Sequence, residues 1–274
     1  MRVTAKLTDK SILVTRPVGQ SAGLARLIRD AGGAPVLFPA LEIEPLTGTQ
    51  MESALNRLAL FDLVIFVSAN AVRFGLPHIQ KRGGLPARAG VAAVGSATAA
   101  ELKKFGVRNI ILSQQGFDSE ALLGELAAMS MDRARTLIVR GQGGRAFLGE
   151  SLHSRGALVE YLECYRRVKP QRDMRDLQSG LGNDSIDACL ATSSSIVENL
   201  FEMAGQSGGA WLCSLPFFVA HPRVAATAFS RGVRSVFVAG NGDEALISGL
   251  QIWFAPLRFP GASSPSENHS MRKT

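Results

Sequence analysis

The sequence predicts an α/β protein with two similar Rossmann-like domains, each built on a parallel, doubly wound sheet. Short apolar runs alternate with helical patterns along most of the chain, which is typical of βαβ units with right-handed crossovers. Two segments recur in the same order: residues 64–76 resemble residues 188–201, and residues 91–112 resemble residues 217–239. Two long copies indicate two related domains rather than a solenoid.

The chain opens with a predicted βαβ unit. Residues 11–16 form a short apolar run that ends at Pro17, which predicts a buried strand. Residues 21–31 carry apolar side chains at helical spacing, and residues 35–38 form a second apolar run. One βαβ unit is too small to be a domain, so we expect it to join the C-terminal half of the chain.

Two part-polar segments predict extended linkers. Residues 39–45 alternate apolar and acidic side chains next to prolines, and residues 162–170 end an extended segment at Pro170. We expect these segments to pair as an antiparallel, two-stranded β-ladder that joins the domains.

The linkers divide the chain into a discontinuous domain 1, residues 1–38 plus 171–254, and a domain 2, residues 46–161. Residues 255–274 predict a disordered tail. Within domain 2 we expect helices over 50–60, 70–81, 96–105, 119–128 and 145–154, and strands over 63–67, 91–94, 109–112 and 136–139.

The composition is globular, with 46% hydrophobic and 19% charged residues. No apolar run approaches the ~18 residues of a membrane span, and the first residues lack a signal-peptide core. We therefore expect a cytoplasmic protein that acts as a monomer, without a membrane partner.

The pattern of charges and of potential metal ligands limits the classes of ligand that the protein is expected to bind. The net charge is +7, but the basic residues are spread out, which favours an anionic small molecule over nucleic acid. The three cysteines form no CxxC pair and are expected to be small buried residues, and the scattered histidines predict no bound metal.

Small, hydroxyl-bearing or basic residues follow six predicted strands, where open parallel sheets bind ligands. Small residues let backbone N–H groups come close to an anion, and arginine binds a carboxylate through two parallel hydrogen bonds. The alternative is that the serines and asparagines only cap helices. The candidate residues for an anion-binding cleft are Arg16, Ser68, Asn70, Gly95, Ser96, Thr98, Arg140, Gly141, Arg145, Ser193, Ser194, His221 and Arg223.

A weaker hypothesis is a nicotinamide-dependent oxidoreductase. Residues 136–146 read as a strand followed by G-x-G-x-x-A, and Glu160 follows at the spacing of a ribose-binding acid. The loop, however, lies outside the first βαβ unit. The chain contains no nucleophile elbow and no P-loop lysine, so we expect a reaction that depends more on positioning than on acid–base groups.

Six motifs, taken in order, make residues 11–254 similar to the uroporphyrinogen-III synthase family. They are VTRP at 14–17, F-x-S-A-N-A-V at 66–72, A-V-G-x-A-T-A at 93–99, R-G-x-G-G-R at 140–145, E-C-Y-R-R at 163–167 and T-S-S-S at 192–195. The resemblance implies two Rossmann-like domains and, in tetrapyrrole (haem) biosynthesis, a lyase. That enzyme would cyclise hydroxymethylbilane, a linear tetrapyrrole with eight carboxylates, with inversion of ring D and loss of water, without a cofactor.

The resemblance also implies roles for particular residues. Tyr165 would give a proton to the departing hydroxyl, Thr98 would bind substrate, and Ser68 with Ser193 and Ser194 would hold carboxylates. As alternatives, Tyr165 packs a hinge and Thr98 starts a helix.

One loop departs from the family pattern. Residues 220–224 read A-H-P-R-V where the family often has I-G-P-x-T. Either His221 and Arg223 replace those contacts, or the protein is a divergent, non-catalytic, two-lobed binder of a polycarboxylate.

Overall fold

The computed structural model describes residues 7–113, 116, 118–175, 177 and 185–255, which form two α/β units. Unit 1 comprises the described residues of 1–41 and 170–274, and unit 2 comprises those of 42–169. The predicted tail lies outside the described residues apart from Ala255. No helix within the described ranges has the length and apolar character needed to span a membrane.

Strands and helices alternate along both units, as the sequence predicts. The strands are β1 Ser11–Val14, β2 Ala34–Leu37, β3 Glu42–Pro45, β4 Leu63–Phe66, β5 Gly90–Ala93, β6 Arg135–Gly141, β7 Leu158–Val168, β8 Ala188–Ala191, β9 Pro216–Val219 and β10 Ser235–Val238. The helices are α1 Val18–Asp30, α2 Thr49–Asn56, α3 Ala69–Lys81, α4 Ser96–Lys104, α5 Ser119–Glu125, α6 Phe147–Ser154, α7 Ser194–Ser214, α8 Pro222–Ser230 and α9 Asp243–Trp253.

Unit 1 is built on a five-stranded parallel sheet with the order β10-β9-β8-β1-β2. Its central strands are short and apolar, and β8 is buried along its whole length, as expected for a sheet covered by helices on both faces. The long helix α7 is broken at Gly205, whose φ of 59° lies in the left-handed region that favours glycine.

Unit 2 has a sheet with the order β3-β7-β6-β4-β5. One face packs Val64, Phe66 and Val139 against α2, α3 and α4, and the other packs Ile65 and Ile138 against α5 and α6. The two-faced core confirms the predicted doubly wound α/β class.

The repeated segments occupy equivalent places in the two sheets. In unit 2, β4–α3 is followed by β5–α4, and in unit 1, β8–α7 is followed by β9–α8. Each pair of strands lies side by side, and β6 flanks β4 as β1 flanks β8. The match in strand order gives the sequence repeat a structural basis.

The strand predicted over residues 109–112 is wrong. Only Ile111 pairs, as an isolated bridge to Ala92. The N–H of Ile111 donates to the carbonyl of Val91, and its carbonyl accepts from the N–H of Ala93. The other residues of 109–112 form no backbone hydrogen bond with β5. Ile111 is therefore the only residue of 109–112 that takes, in the unit 2 sheet, the place that strand β10 takes in the unit 1 sheet.

The two predicted linker segments pair in an antiparallel ladder, as expected, and this ladder is part of a larger sheet. Strand β3 does pair antiparallel with the end of β7, from Glu42 opposite Val168 to Pro45 opposite Tyr165. However, β7 is 11 residues long, and most of it pairs in parallel with β6. Both segments therefore form the edge of the unit 2 sheet, and residues 42–45 and 162–169 belong to that unit.

An ion-pair cluster joins α3 to α4. The Arg73 guanidinium donates from Nε to Glu101 Oε1 at 2.8 Å and from Nη2 to Oε2 at 3.2 Å, and Lys104 Nζ lies 3.0 Å from Oε2. The hydrogen bonds from Arg73, above all, lower the pKa of Glu101 from 4.5 to about 2. A carboxyl group whose pKa is lowered by folding stabilises the fold above its unfolded pKa.

We predict that Glu101→Gln lowers the free energy of unfolding at pH 7 by about 1–3 kcal/mol, because a buried carboxylate loses its charge-assisted hydrogen bonds to the more exposed Arg73. The difference from wild type should shrink as the pH falls from 4.5 towards 2. Over that range the carboxyl group is protonated in the unfolded chain, whereas in the folded chain it takes up a proton only near pH 2. Urea unfolding at several pH values measures this. The exposed Glu198, which shows no ion pair with a described residue, provides the control Glu198→Gln. A difference that stays constant with pH would contradict the prediction.

Candidate active site

A cavity of about 410 Å³ opens at the carboxyl end of the unit 2 sheet. Apolar side chains of Val67, Val94, Ile138 and Leu148 line part of it. Its polar lining consists of Ser68, Asp118, Ser119, Arg140, Gln142, Arg145, Tyr165 and Arg167, together with the backbone of glycines 141, 143 and 144. Five of the residues predicted from the sequence therefore meet here: Ser68, Arg140, Gly141, Arg145 and Tyr165.

A β-bulge in β7 sets the direction of Tyr165. Arg140 lies opposite Glu163, but the next residue of β6, Gly141, lies opposite Tyr165, so Cys164 is an extra residue on β7. A bulge reverses the alternation of side chains along a strand. As a result Tyr165 joins Leu162 and Cys164 in the core cluster beside α3, whereas Tyr161 packs on the opposite face.

Two glycines make room for the bulge. A Cβ atom on Gly141 would lie 2.5 Å from Cζ of the Tyr165 ring, and a Cβ atom on Gly75 of α3 would lie 2.4 Å from Val139 Cγ1 and 3.2 Å from Cys164 Sγ. These separations are below van der Waals contact. Only glycine at both positions allows β7 to approach β6 and α3 this closely.

The thiol of Cys164 fills the space behind the bulge. Its Sγ lies 3.5 Å from the carbonyl oxygen of Arg140 and 3.7 Å from that of Ala71. Burial raises the pKa of the Cys164 thiol to about 12, so the group stays neutral and can donate its proton. Cys164 and Cys189 are buried as the sequence predicts, and Cys213 is half-buried.

The hydroxyl groups of Tyr165 and Ser68 are hydrogen-bonded. Tyr165 Oη lies 3.1 Å from Ser68 Oγ, and either atom can donate. Ser68 is the N-cap of α3, and its Oγ also accepts from the N–H of Ala71 at 3.1 Å. Because Oγ accepts there, the Ser68 proton can be donated to Tyr165 Oη, which leaves the phenol proton for a group in the cavity. Only 3% of Tyr165 is exposed, and its ring packs against Phe74.

Arg140 is held by its neighbours within the unit. Its Nε and Nη2 donate to Glu163 Oε1 at 3.1 and 2.9 Å, and Nη1 donates to the carbonyl of Gly144 at 3.3 Å. The guanidinium also lies 3.8 Å from the centre of the Tyr161 ring. Arg140 therefore supports the turn over residues 141–144, and Glu163 balances its charge.

The cavity keeps a positive charge despite that pairing. Arg145 and Arg167 are exposed, and neither forms an ion pair with any residue that the structure describes. The carboxylate in the lining, Asp118, accepts from the N–H of Ala121 at 2.9 Å as the N-cap of α5. Two unpaired guanidinium groups and one capped carboxylate favour an anionic ligand.

Sequence reasoning missed Asp118, Ser119 and Arg167 as cavity residues, whereas Gln142 lies in a loop that it had singled out after a predicted strand. For Arg167 a signal was present, since residues i and i+2 of a strand share a face and Tyr165 was already a candidate. At Ser119 the sequence predicts only the start of a helix, and in the structure Asp118 is the N-cap of that helix.

The other candidates in unit 2 do not line this cavity. Thr98 is 2% exposed, and its Oγ1 donates to the carbonyl of Val94 at 2.8 Å. Gly95 is the N-cap of α4, Ser96 is its first residue, and Asn70 lies in the first turn of α3. Their contacts with substrate stay predictions.

The unit 1 candidates lie at the carboxyl ends of their strands, where most serve local structure. Arg16 forms an ion pair with Asp243. Ser193 Oγ accepts from the N–H of Ile196 at 3.3 Å, and Ser194 Oγ lies 2.9 Å from Thr227 Oγ1. His221 caps α8, because its Nδ1 accepts from the N–H of Arg223 at 3.1 Å. The imidazole thus takes the capping role at this divergent loop.

The geometry does not match a dinucleotide site. Glu160 lies opposite Leu137 in the middle of the sheet, whereas a ribose-binding acid belongs at the carboxyl end of a strand. Its carboxylate pairs with Arg57 at 2.8 Å. Among the described residues, no group of three or more His, Cys, Asp or Glu side chains is placed to hold a metal ion.

Several known proteins similar to this chain are uroporphyrinogen-III synthases. The family model for uroporphyrinogen-III synthase HemD matches residues 22–247. The uroporphyrinogen-III synthase of Salmonella typhimurium is 31% identical over 247 residues, which cover 88% of this chain and 100% of that protein. The Escherichia coli K12 enzyme is 30% identical over 247 residues, with the same shares covered.

Two solved structures share the fold. A mutant uroporphyrinogen III synthase from Thermus thermophilus gives a TM-score of 0.57 at 21% identity, over 89% of this chain and 97% of that one. Uroporphyrinogen-III synthetase from Helicobacter pylori 26695 gives 0.55 at 14% identity, over 87% and 96%.

We predict that Gly141→Ala lowers the free energy of unfolding by about 1–3 kcal/mol, the usual cost of forcing an extra carbon into a packed site. The new methyl group would overlap the Tyr165 ring. Gly124→Ala is the matched control, because it adds the same methyl group to α5 where no atom lies within 4 Å. Urea unfolding compares the three proteins. Equal stability of Gly141→Ala and wild type would show that Tyr165 does not need this close approach.

Proposed function

The chain belongs to the uroporphyrinogen-III synthase family, and from this premise we propose that it converts hydroxymethylbilane to uroporphyrinogen III, with inversion of ring D and loss of water. The reaction makes it a lyase of tetrapyrrole biosynthesis. The observation that carries the proposal is the buried hydroxyl pair of Tyr165 and Ser68 at a cavity with unpaired arginines.

Tyr165 is the proposed general acid. A phenol is protonated at neutral pH and can give its proton to the terminal hydroxyl of the bilane. The C–O bond then breaks, its electron pair leaves with the oxygen as water, and the lone pair of the pyrrole nitrogen stabilises the carbon left behind. Transfer of the pyrrole N–H proton to the phenolate gives a neutral azafulvene and regenerates Tyr165.

Ser68 orients the acid. Because Ser68 Oγ is fixed by the N–H of Ala71, a hydrogen bond donated to Tyr165 Oη holds the phenol proton towards the cavity. Such a bond also stabilises the phenolate that forms as the proton leaves. The ring contact with Phe74 and the closeness of Gly141 restrict rotation of the phenol.

Positioning is the larger part of the task. The bilane closes spontaneously to isomer I, so the protein must control which carbon of ring D attacks the azafulvene. Restricting the reacting groups to one geometry can contribute several kcal/mol to a barrier difference. A cavity of about 410 Å³ is at the lower end of the range for small-molecule sites, roughly 300–1,000 Å³. We therefore assign it to the reacting end of the bilane rather than to the whole molecule.

We predict that Tyr165→Phe lowers kcat by about 10²-fold, at the lower end of general-acid contributions, and leaves the fold unchanged. The measurement is a coupled assay in which hydroxymethylbilane is generated in place and the oxidised uroporphyrin isomers are separated. Wild type should give mostly isomer III.

Tyr161→Phe is the matched control. It removes the same hydroxyl, for which the described structure shows no hydrogen bond, and keeps the ring beneath Arg140. It should retain wild-type turnover. Wild-type protein that yields only isomer I at the uncatalysed rate would refute the synthase activity and favour the non-catalytic binder. Unchanged turnover in Tyr165→Phe, with a normal circular dichroism spectrum, would refute the role of Tyr165 alone.

A further inference from the structure

The three arginines of the cavity differ in whether they are free to bind a ligand. Arg140 is engaged by Glu163, by the carbonyl of Gly144 and by the face of Tyr161. Arg145 and Arg167 have no ion-pair partner among the described residues, and both are exposed at the cavity lining. A carboxylate that enters can therefore bind these two groups without displacing an internal partner.

The register of β3 and β7 places Arg167 on the face of Tyr165. Tyr165 lies opposite Pro45, Arg167 lies opposite Ile43, and the intervening Arg166 lies opposite Glu44. Side chains alternate along a strand, and residues i and i+2 are about 7 Å apart. Arg166 points to the other face, where its Nε donates to Glu44 Oε2 at 2.8 Å.

The surroundings of Arg167 leave its charge available. The other charged groups at the cavity are Arg140, which is paired with Glu163, the cation Arg145, and Asp118, whose carboxylate caps α5. A guanidinium without a carboxylate partner at the mouth of a positive cavity is suited to bidentate binding of a ligand carboxylate.

We propose that Arg167 and Arg145 bind the two carboxylates of the pyrrole ring that bears the departing hydroxyl. The inference rests on the proposed function and deepens it. A linear tetrapyrrole with eight carboxylates carries two on each ring, and the cavity is lined by two guanidinium groups that have no ion-pair partner among the described residues. Since Arg167 lies two residues beyond Tyr165 on the same face, a ring anchored there has its hydroxymethyl carbon next to the phenol. Arg167 is thus a specificity-determining residue for the carboxylated ring.

The test compares Arg167→Gln with Arg166→Gln in the coupled assay. We expect Arg167→Gln to raise KM at least about tenfold, equivalent to ~1.4 kcal/mol of lost binding, and to lower the fraction of isomer III, because a ring that is not anchored escapes to spontaneous closure. Arg145→Gln should also raise KM and lower the fraction of isomer III. Arg167→Lys should bind better than Arg167→Gln, because lysine keeps the positive charge but cannot donate two parallel hydrogen bonds to a carboxylate. Arg166→Gln should keep the wild-type KM and isomer ratio.

Ionic strength provides a second readout on folded protein. The wild-type KM should rise with salt. The rise should be smaller in Arg167→Gln, which lacks the charge, and close to that of wild type in Arg167→Lys, which keeps it. Wild-type KM and isomer ratio in Arg167→Gln, with isomer III still formed, would overturn the inference and leave the proposed function intact. Absence of isomer III from wild type would instead overturn the proposed function.

Discussion

The β-bulge at Cys164 is the constraint on which the site depends. Without the extra residue, Tyr165 would follow Tyr161 and Glu163 onto the other face of the sheet, and its hydroxyl would not reach Ser68. The bulge is possible only where neighbouring backbones approach closely. Gly141 and Gly75 therefore serve the position of the phenol, although neither has a side chain with which to act on a substrate.

The charges of unit 2 divide between structure and binding. Glu101 with Arg73, and Glu163 with Arg140, are pairs that fix α3 to α4 and support the turn beside the cavity. Arg145 and Arg167 line the cavity and form no ion pair with a residue that the structure describes. A guanidinium already held by a carboxylate gains little from a second one, whereas an unpaired guanidinium gains a new charge-assisted contact. For this reason Arg145 and Arg167, and not Arg140, are the groups proposed to bind anions.

Much of this architecture follows from the sequence, because apolar periodicity and turn residues fix the order of the elements. Ser68 was also predicted because it follows a strand of the parallel sheet, and Tyr165 was predicted because its E-C-Y-R-R motif resembles that of the family. The features of the site that the sequence did not predict depend on how segments far apart in the chain pair with each other. The bulge can be seen only once the register between β6 and β7 is known. The side of the sheet on which Arg167 lies follows from that bulge and from the pairing of β7 with β3. The burial of Thr98 accompanies its hydrogen bond to the carbonyl of Val94. The strand expected over 109–112 failed because apolar residues alone do not ensure a ladder.

The central claim is that the reacting end of the substrate lies against Tyr165. The chain contains only two tyrosines, so protein labelled with ¹³C at tyrosine Cζ gives two signals, and Tyr161→Phe assigns them. Uroporphyrinogen III is added under anaerobic conditions to saturation, which calorimetry establishes. The account predicts a shift or broadening of the Tyr165 signal and little change at Tyr161, which lies on the opposite face. An unchanged Tyr165 signal at saturation would contradict the claim.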